Sequence, residues 1–135
     1  VLLVHGLGEH VGRYAHVAAA LHARGWAVSG FDQRGHGRSE GARGVIARPD
    51  ALLADLAAVI DAVRPRHAGP LVLLGHSMGG AVAARFVAEG LAPQPAAWRR
   101  PVDGLVLSSP ALAARLSGFQ RLQLAIGERF LPDLA

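Results

Sequence analysis

The chain of 135 residues has no cysteine and no lysine, and aromatic side chains make up only 5% of it. Without cysteine there are no disulfides, no thiolate metal ligands and no Cys nucleophile. Without lysine, the net charge of +4 is carried by 14 arginines that scatter from Arg13 to Arg129. Binding of nucleic acid would need a basic patch or a platform of stacking aromatics, so no nucleic-acid partner is expected. Long apolar runs are missing too, and none reaches the roughly 18 residues of a membrane-spanning helix. Arginine-only basicity beside abundant alanine goes with a GC-rich genome, and the location expected of the protein is the bacterial cytoplasm, with the question of a signal peptide left open.

What remains is an apolar chain. Hydrophobic residues make up 51% and charged ones 18%, which excludes a disordered chain and favours elements buried on more than one side. The length suits one domain. Short apolar runs at Val1 to Val4, Trp26 to Phe31, Leu71 to Leu74 and Leu105 to Leu107 read as strands. Helical spacing lies between them, so the leading architecture is α/β, a mostly parallel sheet with helices on both faces. In "PDALLADLAAVIDAV", Leu52, Leu53, Leu56, Val59, Ile60 and Val63 fall on one helical face, with Pro49 and Asp50 placed in the first turn. A second helix is predicted from about Tyr14 to Arg24, closed by Gly25, and a third directly after Ser77. The three prolines of "LAPQPAAWRRPVDG" mark a surface connection. The chain opens inside an apolar strand, so it is expected to be the front part of a longer protein.

The stretch "LVLLGHSMGG", residues 71 to 80, carries a serine from a buried strand into a helix. A Ser hydroxyl is a weak nucleophile unless a base takes its proton and the backbone presents it to substrate. A sharp strand-to-helix turn presents it, and such a turn admits only glycine-sized residues two before and two after the serine. Gly75 and Gly79 stand there around Ser77. The first amides of the following helix point toward substrate, so the Met78 N–H is a candidate oxyanion donor. A second donor is the Leu7 N–H in "HGLGEH", where Gly6 and Gly8 let the loop fold close to the serine.

Four blocks, "HGLGEHVGRY", "FDQRGHGRSEG", "GHSMGG" and "LVLSSPAL", occur in that order between residues 5 and 112. Together they resemble the monoacylglycerol lipase and lysophospholipase branch of the α/β-hydrolases, which is also grouped with the serine aminopeptidases. The resemblance implies a serine hydrolase of carboxylic esters, with Ser77 as nucleophile and the Leu7 and Met78 amides as oxyanion hole. No metal or organic cofactor is implied. It also implies a small lipid-like acyl ester as substrate, and transient contact with a membrane surface through a cap. On this division residues 1–110 are the N-terminal part of the hydrolase core and residues 111–135 the start of the cap. In that tail Phe119, Leu122, Ile126 and Phe130 are spaced for one helical face. Aminopeptidase, thioesterase and acyltransferase activities, or a non-catalytic module, are the alternatives on the same fold.

Other polar residues receive plainer roles. His76 is assigned to packing, and His5 and His10 to shaping the Leu7 loop, with His10 also near enough to touch a polar substrate group. Asp32 ends a strand but precedes Ser77, whereas this fold takes its acid after the serine, so "FDQRGHGRS" reads as a hydrogen-bonded turn. Arg34 and Arg38 are expected to hold it through carboxylate and carbonyl contacts. All seven histidines, at 5, 10, 16, 22, 36, 67 and 76, also precede Ser77. Of the later carboxylates, Glu89, Asp103, Glu128 and Asp133, none directly follows a strand. The triad acid and base are therefore expected outside these residues.

Overall fold

A computed structural model describes residues 1–112. The tail whose spacing suggests a cap helix lies almost wholly outside the described residues. Four strands, β1 (Leu2–Val4), β2 (Ser29–Gly30), β3 (Val72–His76) and β4 (Gly104–Ser108), form one parallel sheet in the order β2-β1-β3-β4. The three helices are α1 (Ala15–His22), α2 (Ala51–Val63) and α3 (Met78–Ala88). Each crossover between parallel strands needs a connection of this kind, which is why the predicted alternation becomes a sheet with flanking helices.

The register places Leu2 beside Leu73 and Val4 beside Gly75. Leu2, Val4 and Leu73 therefore share one face, and α2 and α3 cover it. From α2 come Leu52, Leu53, Leu56, Ala57 and Ile60; from α3 come Val82, Ala83 and Phe86. Each buried Leu, Ile or Phe contributes about 1.5–3 kcal/mol from leaving water. Leu3 points to the opposite face. There a side chain at Gly30 would run into Val11, in the 3₁₀ turn Val11–Tyr14 that leads into α1.

Two local expectations change, and a third gains detail. The Trp26 to Phe31 run shrinks to the two-residue strand β2, because the Trp26 N–H donates to Leu21 O (3.2 Å) and the Gly25 N–H to His22 O (2.9 Å). Those two bonds, with Gly25 at φ +83°, close α1 in a Schellman motif and take Trp26 away from the sheet. Pro49 and Asp50 stand just before α2, and Asp50 pairs with Arg48 at 3.3 Å instead of capping the helix. The proline-rich connection does run over the surface, but it is pinned. Trp98 packs on Phe86 with ring centroids 5.4 Å apart, and Asp103 accepts the Leu71 N–H at 2.7 Å.

Candidate active site

Ser77 is the hinge between β3 and α3, with φ 50° and ψ −118°. A side chain at that φ is strained by about 1–3 kcal/mol, and it persists only where the surroundings over-determine it. Here they do. The Ser77 N–H donates to Ser108 O (3.0 Å), and Ser77 O accepts the N–H groups of Ala81 (3.1 Å) and Ala111 (3.0 Å). The end of β4 and the chain beyond it therefore brace the turn.

The glycines at the turn are required by close approach. A Cβ on Gly75 would lie 2.5 Å from Gly79 O and 2.7 Å from Gly80 Cα. A Cβ on Gly79 would collide with the carbonyl oxygens of Val4 and His5, at the end of β1. At Gly6 it would come within 3.2 Å of Ser77 Cβ and 2.8 Å of the Glu9 carboxylate. So the Gly6 loop and the serine turn, more than 70 residues apart in sequence, touch through their backbones. Among the described residues neither the Leu7 N–H nor the Met78 N–H donates to a protein acceptor. Leu7 is 67% exposed, and it lines a cavity of about 30 Å³ together with Met78, His36, Val45, Ile46 and Leu52.

A polar frame that the sequence reading missed holds the Gly6 loop. Glu9 Oε1 accepts the Gly6 N–H (2.5 Å) and the Tyr14 hydroxyl (2.6 Å), and Arg13 stands 3.6 Å from the same carboxylate. Burial alone would raise the Glu9 carboxyl, but the Tyr14, Gly6 and Arg13 interactions outweigh it and leave the carboxyl below its ordinary value. Tyr14 is pushed up, first by burial and then by Glu9 beside it. Behind the loop His5 and Gln33 are fully buried and bonded to each other. Glu9 was legible as an acid three residues past Gly6. Gln33 gave no signal, because its partner lies 28 residues away.

The "FDQRGHGRS" block is the hydrogen-bonded turn expected. Asp32 accepts the Val11 N–H (2.8 Å) and the Arg38 N–H (2.9 Å). Burial opposes ionisation of Asp32, yet these two amides hold its carboxyl below the usual range. Arg34 makes a bidentate pair with Asp55 of α2 at 2.5 and 2.6 Å. The carbonyl contacts come from Arg43, which reaches Gly35 O and Gly37 O at 3.1 Å each; Arg38 contributes only its backbone N–H. His76 has Nδ1 3.1 Å from both Ser108 O and Ser108 Oγ, and its ring borders Gly6 and lies tilted to Tyr14 with centroids 6.4 Å apart. His10 is exposed at the start of the 3₁₀ turn, and its carbonyl accepts the Arg13 N–H. No group of His, Asp or Glu side chains arranged to hold a metal occurs among the described residues.

Among known proteins, the chain is similar to monoglyceride lipases and a phospholipase. Human monoglyceride lipase is 35% identical over 136 residues, covering 100% of this chain and 43% of its own length. Phospholipase YtpA of Bacillus subtilis is 33% identical over 125 residues, covering 93% and 45%. The crystal structure of Paleococcus ferrophilus monoacylglycerol lipase superposes with a TM-score of 0.67 at 34% identity, covering 97% of this chain and 47% of that one. The chain thus spans less than half the length of these relatives. Over residues 1–135 it also matches the family described as serine aminopeptidase, S33. Four parallel strands with their helices, the Gly6 loop against the Ser77 turn and these matches together place the chain in the S33 serine aminopeptidase family of α/β-hydrolases.

Proposed function

We propose that the protein hydrolyses carboxylic esters of the monoacylglycerol or lysophospholipid type through an acyl-enzyme on Ser77. The observation that carries this reading is the backbone of Ser77, strained at φ 50° and set against Gly6, with the Leu7 and Met78 amides uncommitted beside it. Ser77 Oγ attacks the acyl carbonyl carbon as a base removes its proton. The carbonyl electrons move onto oxygen, and the two amides hold that oxyanion, helped by the N-terminal end of the α3 dipole. Collapse of the tetrahedral intermediate breaks the ester bond, and the base returns its proton to the leaving alcohol. Water repeats the sequence to release the acid.

In this reading the base is a histidine outside residues 1–135, because the seven within them all precede Ser77. His5 is buried among its own bonds and His76 is tied to Ser108. The similarity to lipases and a phospholipase favours a lipid ester over an N-terminal peptide bond. The test uses the full reading frame that encodes this chain. Its product is assayed on a monoacylglycerol, a lysophospholipid and an aminoacyl nitroanilide. Turnover of either lipid ester that is lost in Ser77→Ala supports the proposal. Turnover of the nitroanilide alone moves the substrate class to peptides.

A further inference from the structure

Among the described residues, two that are not glycine stand at positive φ: Ser77 at 50° and Ser109 at 44°. Ser77 is the nucleophile turn. Ser109 follows the last residue of β4, the strand beside it, and has no part in the reaction as proposed. A side chain at such a φ persists only where its surroundings hold it there.

The pairing of β3 with β4 shows what the turn at Ser109 supplies. In a parallel ladder, a residue whose N–H bonds to one carbonyl of the next strand receives, at its own carbonyl, the N–H two residues further along that strand. Gly75 lies beside Leu107 and His76 beside Ser108, so Ser77 continues the register beside Ser109. Its N–H donates to Ser108 O at 3.0 Å, and its carbonyl would then take the N–H of residue 110. Residue 110 is proline, which has none. The positive φ of Ser109 turns the chain there, one extra residue is taken up as a bulge, and the Ala111 N–H reaches Ser77 O at 3.0 Å. Pro110 packs against the first turn of α3, where a Cβ on Gly80 would stand 2.8 Å from Pro110 Cβ.

Both peptide groups that flank the Ser77 Cα are thereby tied to one short segment, the first to Ser108 and the second to Ala111. Fixing those two planes fixes φ and ψ of Ser77. A peptide group is planar and trans, so the direction of Ser77 O also sets the direction of the Met78 N–H. The Ala81 N–H reaches the same oxygen at 3.1 Å, but that bond ties it only to α3 itself. We infer that Ser109 is a positioning residue: its backbone turn puts the Ala111 N–H in place of the donor that Pro110 lacks, and so holds Ser77 and the Met78 amide in the reactive geometry. The inference rests on the reading of Ser77 as nucleophile and Met78 as oxyanion donor. It assigns the role to the Ser109 backbone and not to its hydroxyl. Ala keeps an unbranched side chain without the hydroxyl, and Asn is favoured at positive φ, whereas Thr keeps the hydroxyl but adds the β-branch that this φ excludes.

The experiment uses the product of the full reading frame, with a short-chain nitrophenyl ester as substrate. Misplacement by about 1 Å costs about 10²-fold in rate, so Ser109→Thr is expected to lower kcat by about 100-fold with little change in KM. Ser109→Ala and Ser109→Asn are expected to stay within about threefold of the wild type on the same scale. Two measurements need no turnover. Amide hydrogen exchange at Ala111 should be slow in the wild type, and Ser109→Gly, which relieves the strain, should raise the urea midpoint. Equal kcat values in the Thr and Ala variants, loss of activity in Ala as deep as in Thr, unprotected exchange at Ala111, or a lowered midpoint in Ser109→Gly would overturn the inference. Should Ser109→Thr not fold, the exchange and the midpoint decide. Ser77→Ala in parallel keeps the two readings apart: activity surviving that substitution refutes Ser77 as nucleophile, whereas exchange at Ala111 and the Ser109→Gly midpoint bear on the bulge alone.

Discussion

Gly79→Ala adds one methyl group at the most crowded point between α3 and β1. The new Cβ would collide with the carbonyl oxygens of Val4 and His5 and stand 2.6 Å from Val4 C, where ordinary contact begins near 3.4 Å. All three are backbone atoms of a buried strand, so no side chain can swing aside. The first turn of α3 must retreat by roughly 1 Å, and overpacking of this kind costs about 1–3 kcal/mol. The same retreat carries the Met78 amide and Ser77 away from the Gly6 loop. Misplacement by about 1 Å is worth about 10²-fold in rate at a preorganised site. Urea unfolding should therefore show the stability loss, and the second-order rate of labelling by a fluorophosphonate should fall by about two orders of magnitude. A Gly79→Ala protein with wild-type stability and labelling rate would refute the close approach of α3 to β1 on which the site depends.

Ser77→Gly removes the strain at φ 50° along with the hydroxyl, so it should unfold about 1 kcal/mol harder than Ser77→Ala while taking no label. Thermal melts of the two variants check this, and equal stability would mean that the turn is unstrained. For acid stability, the Glu9 and Asp32 carboxyls sit below their ordinary values when folded, so on acidification the unfolded chain takes up protons first. The stability they contribute is whole above about pH 5 and drains through the ordinary carboxylate range toward the folded values. Asp32→Asn should cost about 1–3 kcal/mol at pH 7 and progressively less toward pH 3, read from urea midpoints across that range. A penalty that does not shrink on acidification would show that Asp32 is not held ionised by the Val11 and Arg38 amides. Residues 1–135 alone, whose histidines all precede Ser77, should show no saturable turnover of a nitrophenyl ester. Saturable turnover abolished by Ser77→Ala would place the base among those seven.

The parts of this fold that could be read from the chain are those set by local periodicity and by glycine. The apolar face of α2 is buried as spaced, with Leu52, Leu53, Leu56 and Ile60 in the core and Val59 and Val63 at its margin. Gly75 and Gly79 stand where the turn needs them because the requirement is steric and belongs to the turn itself. The second strand was overread because an apolar run says nothing about where its amides are already committed, and the Trp26 N–H was committed to the end of α1. The distant partners of the Gly6 loop and of the Asp32 turn were missed for a related reason, whereas Glu9 has its partners Gly6 and Tyr14 within five residues. Asp32 with Val11, Gln33 with His5 and Arg34 with Asp55 are each separated by 21 to 28 residues, and only the parallel pairing of β1 and β2 brings most of them together. Arg43 against Arg38 shows the same limit, since residue type suggested an arginine clamp but the loop decided which arginine reaches the Gly35 and Gly37 carbonyls.

The claim on which the rest depends is that the Ser77 hydroxyl is an activated nucleophile, and active-site mapping with a fluorophosphonate tests it most directly. The product of the full reading frame is labelled, digested and sequenced by mass spectrometry. The account predicts a single modified peptide carrying the adduct on Ser77, within Leu71 to Arg85, and no adduct after Ser77→Ala. An adduct on any other serine, or labelling that persists in Ser77→Ala, would contradict it.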